Sequence, residues 1–231
     1  MTAATTVIEL QGVTKRYSLT ALETYALRNV SLRVHSGEFV AVTGPSGCGK
    51  STLMSILGLL TAFDQGCYRL AGRDVGDLDG NARAMVRNRH IGFVFQSFHL
   101  IGDLDVLHNV ALPLRFRGGM TRGEREDRAG TVLKLVGLEK RLSHYPHQLS
   151  GGQQQRVAVA RALVGEPDII LADEPTGNLD SQSAEAVMDL FTKLNAGGTT
   201  LCMVTHNAEL ASRAQRQMSM LDGQIQSALQ R

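Results

Sequence analysis

Short apolar runs that end in glycine or polar turns alternate along this chain with stretches whose apolar residues recur at helical spacing, so strands and helices are expected in alternation. Residues 7–43 predict short β-segments joined by turns. Val30, Leu32 and Val34 alternate with Ser31 and Arg33, as in a half-buried strand, and Ser36-Gly37 turns into an apolar strand from Glu38 to Thr43. Thr52 to Leu57 reads as a helix. Gly66 to Leu70 and the polar segment Ala71 to Asp79 predict further short strands and a turn, followed by a charged helix over roughly Gly80 to Arg89. Ile91-Gly92-Phe93-Val94-Phe95 is a buried strand, rich in aromatic and β-branched residues.

Residues 97–165 change character, with several helical runs and no strand-like one. Thr121-Arg122-Gly123-Glu124 fits a capping box, and Ala129, Val132, Leu133 and Val136 follow at helical spacing. A further helix begins at Leu149-Ser150-Gly151-Gly152-Gln153 and runs through Arg156, Val159, Ala160 and Leu163. Ile169 to Ala172 is fully apolar, as in a strand buried on both faces of a parallel sheet, and Pro175 helps to end it after Asp173 and Glu174. Gly177 to Asp180 is a turn. A helix then carries Ala184, Val187, Met188, Phe191 and Leu194 on one face. Thr200 to Thr205 is another buried strand, and Gln217 to Ser227 is a hairpin turning at Asp222-Gly223.

The 231 residues predict one domain, with 43% hydrophobic and 20% charged residues typical of a globular core. A formal net charge of +2 gives no electrostatic case for a nucleic-acid partner. Cys48, Cys67 and Cys202 are widely spaced, which argues against a disulfide framework or a zinc site and suits a reducing compartment. No apolar run approaches the roughly 18 residues of a membrane span, and Met1 to Thr6 lacks the basic segment and apolar stretch of a signal peptide. A cytosolic protein is expected, unless a partner holds it at a membrane.

Chemistry concentrates at a few turns. Gly44-Pro45-Ser46-Gly47-Cys48-Gly49-Lys50-Ser51-Thr52 fits G-x-x-x-x-G-K-[ST] between a predicted strand and a predicted helix. Its glycines let backbone N–H groups point inward as a phosphate nest. Lys50 can reach terminal phosphates, Ser51 can place its hydroxyl on Mg²⁺, and the helix N-terminus favours the anion. Cys48 is either a thiol acidified by that helix end or a small residue tolerated in a tight loop. Ser150 to Gln153 is a second glycine-rich loop at a helix N-terminus. One triphosphate does not need two such sites in one subunit, so the second is expected to serve a nucleotide held by another subunit. Asp173 can hold Mg²⁺ through its water shell, and Glu174 can orient or deprotonate an attacking water. Gln96, at the end of a strand, can touch the metal or that water, or is an ordinary polar residue. His206 can hydrogen-bond a γ-phosphate. Tyr17 offers a face for a nucleobase or is a partly buried surface tyrosine.

Together these residues resemble the nucleotide-binding subunits of ATP-binding cassette (ABC) transporters, over about Val7 to Gln226. The specific part is Leu149-Ser150-Gly151-Gly152-Gln153, the signature loop of that family. The resemblance implies that Tyr17 stacks on adenine, that Gly44 to Thr52 is the Walker A loop, and that Gln96 links the metal to a partner subunit. It implies that Ser150, Gly151 and Gly152 bind a γ-phosphate across a dimer interface. Asp173 and Glu174 become the Walker B pair with Glu174 the catalytic base, Asp180 the D-loop aspartate and His206 the switch histidine. The family's D-loop often begins Ser-Ala where this chain has Gly177-Asn178, so only Leu179 and Asp180 carry over. The stretches Arg87 to Phe98, Leu149 to Arg156 and Ala172 to Asp180 further resemble the subgroup serving macrolide exporters and lipoprotein-release complexes.

The implied fold is α/β: a RecA-like P-loop NTPase core with an N-terminal antiparallel β subdomain and an inserted α-helical subdomain. The whole of 1–231 is then one ABC ATPase domain, with 97–165 helical and 7–96 and 166–231 forming the rest. The implied activity is ATP hydrolysis, with ATP and Mg²⁺, by a head-to-tail dimer that drives a transmembrane permease from the cytoplasmic face of the inner membrane. An amino-acid-type importer, or a cassette that acts on the cell wall without transport, fits the same catalytic residues. An ABC-type ATPase acting on ribosomes or DNA would usually carry two cassettes or a long coiled coil, and neither is present.

Overall fold

A computed structural model describes residues 5–19 and 22–230. Two strands of 14 residues, β1 (Thr6–Leu19) and β2 (Leu22–His35), pair antiparallel and are followed by β3 (Phe39–Thr43). The short β-segments expected over residues 7–43 are thus two continuous ribbons. The reason is a series of register shifts between Leu10 and Val13 and again up to Arg16, which reset the two-residue alternation. The predicted inward face is present: Val30, Leu32 and Val34 are buried opposite Val13, Leu10 and Ile8.

Helix α1 (Lys50–Leu57) begins two residues earlier than the periodicity suggests. Then come β4 (Gln65–Leu70), β5 (Arg73–Asp74), α2 (Gly80–His90) and β6 (Ile91–Phe95). Residues 97–165 hold α3 (Val106–Arg117), α4 (Arg122–Leu135), one 3₁₀ turn and α5 (Gly151–Leu163). The capping box at Thr121 and Glu124 is formed. After α5 the chain returns as β7 (Ile169–Asp173), α6 (Ser181–Ala196), β8 (Leu201–Val204), the short α7 (Ala208–Ala211) and the hairpin β9 (Arg216–Leu221) and β10 (Gln224–Gln230). The hairpin turns at Asp222-Gly223, both with positive φ, as a two-residue turn matched to strand twist requires.

Two sheets result. One is antiparallel, in the order β2-β1-β4-β5; the other runs β10-β9-β3-β8-β7-β6 and is parallel from β9 to β6. The larger sheet divides the apolar interior in two. Phe39, Ala41, Ile170, Ala172, Leu201 and Met203 face a core shared with α3, α4, α5 and α6. Val40, Val42, Ile169, Leu171, Cys202 and Val204 face a second core, closed by α1 and the antiparallel sheet. Tyr68 binds that sheet to α1: its buried hydroxyl donates to the Leu57 carbonyl at 2.7 Å, and burial pushes its pKa up. On the other side, buried Asn109 of α3 organises the segment behind β6. Its Oδ1 accepts from the Ile101 N–H at 2.8 Å, while Nδ2 donates to the carbonyls of Ile101, Leu104 and Asp105. The expected α/β architecture, a parallel core with an antiparallel β layer and a helical insertion, is therefore present.

Candidate active site

The loop from Gly44 to Gly49 joins β3, in the middle of the parallel sheet, to the N-terminus of α1, where open α/β sheets bind ligands. Two of its glycines are there because neighbouring backbone is close. A Cβ on Gly44 would lie 2.3 Å from the Met220 carbonyl oxygen, and one on Gly49 would lie 2.4 Å from that of Ala26. The loop is clamped from outside by the β9–β10 turn, whose Gly223 N–H donates to the Cys48 carbonyl at 3.0 Å. Lys50 is buried beneath it, with Nζ donating to the carbonyls of Gly44 and Pro45 at 2.8 Å each and 3.8 Å from Cys48 Sγ. Pro45, Ser46, Gly47 and Ser51 are exposed, Thr52 is half-buried and Cys48 is buried.

The neighbouring strand ends bring the acids to the same edge of the sheet. β7 delivers Asp173. Burial pushes its carboxyl above the usual carboxylate range, the adjacent Glu174 charge adds to this, and the Lys50 ammonium opposes it. Glu174 has a left-handed backbone, φ 46°, rare for a non-glycine residue. Its N–H donates to the Val204 carbonyl of β8 at 2.9 Å, and this holds the turn that Pro175 continues. Its Oε2 lies 3.0 Å from Nδ1 of His206, which follows β8. Glu174 and His206, singled out separately in the sequence, are therefore partners.

Ser150 to Gln153 open a different helix. Ser150 caps α5: its Oγ accepts from the Gln153 N–H at 3.3 Å, and Gln153 Oε1 accepts from the Ser150 N–H at 3.1 Å. Gly152 is packed against Ser183 of α6, and Asp180 caps α6 by accepting from the N–H and hydroxyl of Ser183. Those two bonds hold the Asp180 carboxyl below the usual range. Within one chain the helices that follow the two glycine-rich loops pack in different cores. α1 packs in one core, on β2, β7 and β8; α5 packs in the other, on β6, α3, α4 and α6.

The family model for ABC transporters matches residues 27–177, more than half of the chain. The chain belongs to the ABC transporter family. It is an ATP-binding subunit and an ATPase. The ABC transporter ATP-binding protein MJ1508 of Methanocaldococcus jannaschii is 50% identical over 218 residues, covering 94% of this ABC ATPase and 97% of its relative. The macrolide export ATP-binding/permease protein MacB of Rhodopseudomonas palustris is 46% identical over 222 residues, 96% of this chain but 34% of its own length. This ABC ATPase thus spans about a third of the MacB proteins it matches. Among solved structures, the cassette MJ0796, dimeric and bound to ADP and Pi in a post-hydrolysis state, is 44% identical with a TM-score of 0.88, over 96% of this chain and 98% of that one. The recognised subgroup, of the macrolide-exporter and lipoprotein-release type, agrees with these likenesses.

Other features of the ABC ATPase were not readable in advance. Gln96 does not point out alone: its Nε2 donates to Asn178 Oδ1 at 3.0 Å, and Asn178 Nδ2 donates back to the Gln96 carbonyl at 3.2 Å. Gly177 makes room, since a Cβ there would lie 2.7 Å from Gln96 Nε2. The Gly177-Asn178 departure from Ser-Ala was the available signal. Beyond Gln96, Phe98 and His99 are both left-handed, and Arg161 of α5 donates to both of their carbonyls. Tyr17 stands 41% exposed on β1, with the Lys15 ammonium 5.4 Å from its ring centre. A groove of about 740 Å³ opens beside β6, lined by Met85, Asn88, Phe93, Phe95, Phe116 and Arg117. Among the described residues no helix is long and apolar enough to cross a membrane.

Proposed function

We propose that two copies of this ATPase enclose two ATP molecules, each held between Gly44 to Thr52 of one copy and Ser150 to Gly152 of the other. The observation that carries this reading is the placement of the two glycine-rich helix N-termini in different cores of one chain. Each is a ready anion site on a helix of a different core, and a head-to-tail pair would bring one of each onto the same nucleotide. That the MJ0796 cassettes are dimeric, one of them bound to ADP and Pi, supports a pair of copies as the working unit.

In this reading Lys50 exchanges its bonds to Gly44 and Pro45 for the β- and γ-phosphates, and Tyr17 stacks on adenine. The Ser51 hydroxyl, the Asp173 carboxylate and the Gln96 amide are hard oxygen donors suited to Mg²⁺. Among the described residues no three His, Cys, Asp or Glu side chains gather around one point, which fits an ion held largely by phosphate and water. Bound there, Mg²⁺ would neutralise charge on the phosphates. Glu174, steadied by His206, accepts the proton of the attacking water, and His206 reaches the γ-phosphate. Cys48 and Gly47 contribute backbone N–H groups, Gln153 completes the cap of Ser150, and Asp180 lies at the dimer seam.

Closure around ATP and opening after hydrolysis would drive a permease of the exporter type. The MacB relatives carry ATP-binding and permease functions in one protein. The permease docks in the groove beside β6, whose rim residues Phe116 and Met85 are 75% and 68% exposed. The test of the catalytic reading is Glu174→Gln in full-length protein. Hydrolysis should fall by about 10²- to 10⁴-fold, with ATP binding and ATP-dependent dimerisation retained on a sizing column. Undiminished turnover would sink the assignment of Glu174.

A further inference from the structure

Gln155 sits one turn into α5 and is fully buried. Its Nε2 donates to two backbone carbonyls, Phe95 at 3.3 Å and Pro175 at 2.6 Å. Both partners are acceptors only, so the amino end of the amide must face them. Its Oε1 has no partner, and among the described residues it is the one buried side-chain nitrogen or oxygen in that condition. A methionine would fill the same space without burying an unsatisfied oxygen. What the amide provides in return is its pair of donated bonds.

Their positions give them meaning. Phe95 immediately precedes Gln96, and Pro175 immediately follows Glu174. The Phe95 carbonyl ends β6, and the Pro175 carbonyl lies in the turn just after β7, the neighbouring strand whose Asp173 pairs with Phe95. One side chain therefore fixes, from the helix beneath, the backbone on which both Gln96 and the left-handed Glu174 are mounted. Further along the same helix, Arg161 donates to the carbonyls of Phe98 and His99. The segment from Phe95 to His99 is thus held to α5 at both ends.

We propose that Gln155 is a positioning residue for ATP hydrolysis, which sets the placement of Glu174 and Gln96 relative to the helix that Ser150 caps. This rests on the reading of Glu174 given above. In the ATP-bound pair, the N-terminus of α5 faces the partner's nucleotide while Gln155 holds the acid of its own chain's pocket. The two pockets are thereby tied through a single helix, and Gln155 touches neither nucleotide.

The test compares Gln155→Met, Gln155→Asn and Glu174→Gln with the natural full-length protein, by steady-state ATPase kinetics and thermal unfolding. Gln155→Met keeps the length and loses both donors; Gln155→Asn keeps the amino group on a shorter arm. For Gln155→Met, kcat should fall by about 10- to 100-fold, with KM for ATP changed by less than about twofold and Tm by no more than a few degrees. Gln155→Asn should lose less of kcat, and it carries the test if Gln155→Met does not fold. A folded Gln155→Met with normal kcat, beside an inactive Glu174→Gln, overturns this inference alone. Loss of kcat in both Gln155 variants in proportion to lost Tm reduces the residue to packing and also overturns it. Normal turnover by Glu174→Gln overturns this inference and the catalytic reading together.

Discussion

Gly47 and Gly49 stand two residues apart in the same loop, yet their substitution by alanine should have different consequences. Gly47 has φ 78° and open space where a Cβ would go. Gly47→Ala therefore meets only the left-handed backbone penalty of about 1–2 kcal/mol, partly offset by about 0.4–1 kcal/mol from a stiffer unfolded chain. A net loss of roughly 0.5–1 kcal/mol lowers Tm by about 1–4 °C in a protein of this size. Gly49 has φ 105°, and its Cβ would lie 2.4 Å from the Ala26 carbonyl oxygen and 2.8 Å from the Met220 methyl. The methyl group can swing away, but the carbonyl belongs to β2 and cannot. Overpacking of that kind adds about 1–3 kcal/mol, for a total near 2–4 kcal/mol and a Tm lower by about 4–15 °C. Differential scanning fluorimetry on both variants, without nucleotide and with saturating ATP, measures this. At 100 times its dissociation constant, ATP should stabilise the natural protein by about 2.7 kcal/mol, and Gly49→Ala should lose most of that gain. Equal Tm losses for the two variants, or a larger one for Gly47→Ala, would refute the steric argument.

Two further outcomes are expected. Exposed Cys67 should react with iodoacetamide in the native protein at pH 8, whereas buried Cys202, its thiol pushed up to about 12 by burial, should react only after unfolding. Because the unfolded thiol ionises near 9 and the folded one does not, this group takes stability away as pH rises from about 9 to about 12. A titration of thiols by mass spectrometry, native against denatured, settles it; native labelling of Cys202 would contradict the burial. Met85→Glu combined with Phe116→Glu should leave the ATPase activity of the isolated dimer unchanged while abolishing co-purification with the permease. Retained association would place the docking surface elsewhere.

The central strands and the glycine-rich loops were legible because each rests on local chemistry: unbroken apolar runs for β3, β7 and β8, and glycines at the turns beside them. β1 and β2 are not legible as two long strands, because bulges interrupt their two-residue alternation. Buried Asn109 and the internal Pro113 likewise hid α3, since both break its apolar stripe. In the site, the residue types were legible but their pairings were not. Gln96 bonds Asn178 across 82 positions of sequence and Glu174 meets His206 across a strand boundary, contacts that only the sheet order creates. Gln155 is not legible at all, because nothing in Gln153-Gln154-Gln155 marks which amide is buried.

The larger sheet behaves as a bulkhead between two oily compartments. Phe39 and Val40 are consecutive on one strand yet fill different compartments, so a void behind either one is coupled to the other only through the strand backbone they share. The pocket hangs from the rim of that bulkhead. Damage in either compartment therefore reaches it in the same form, as a displaced strand end.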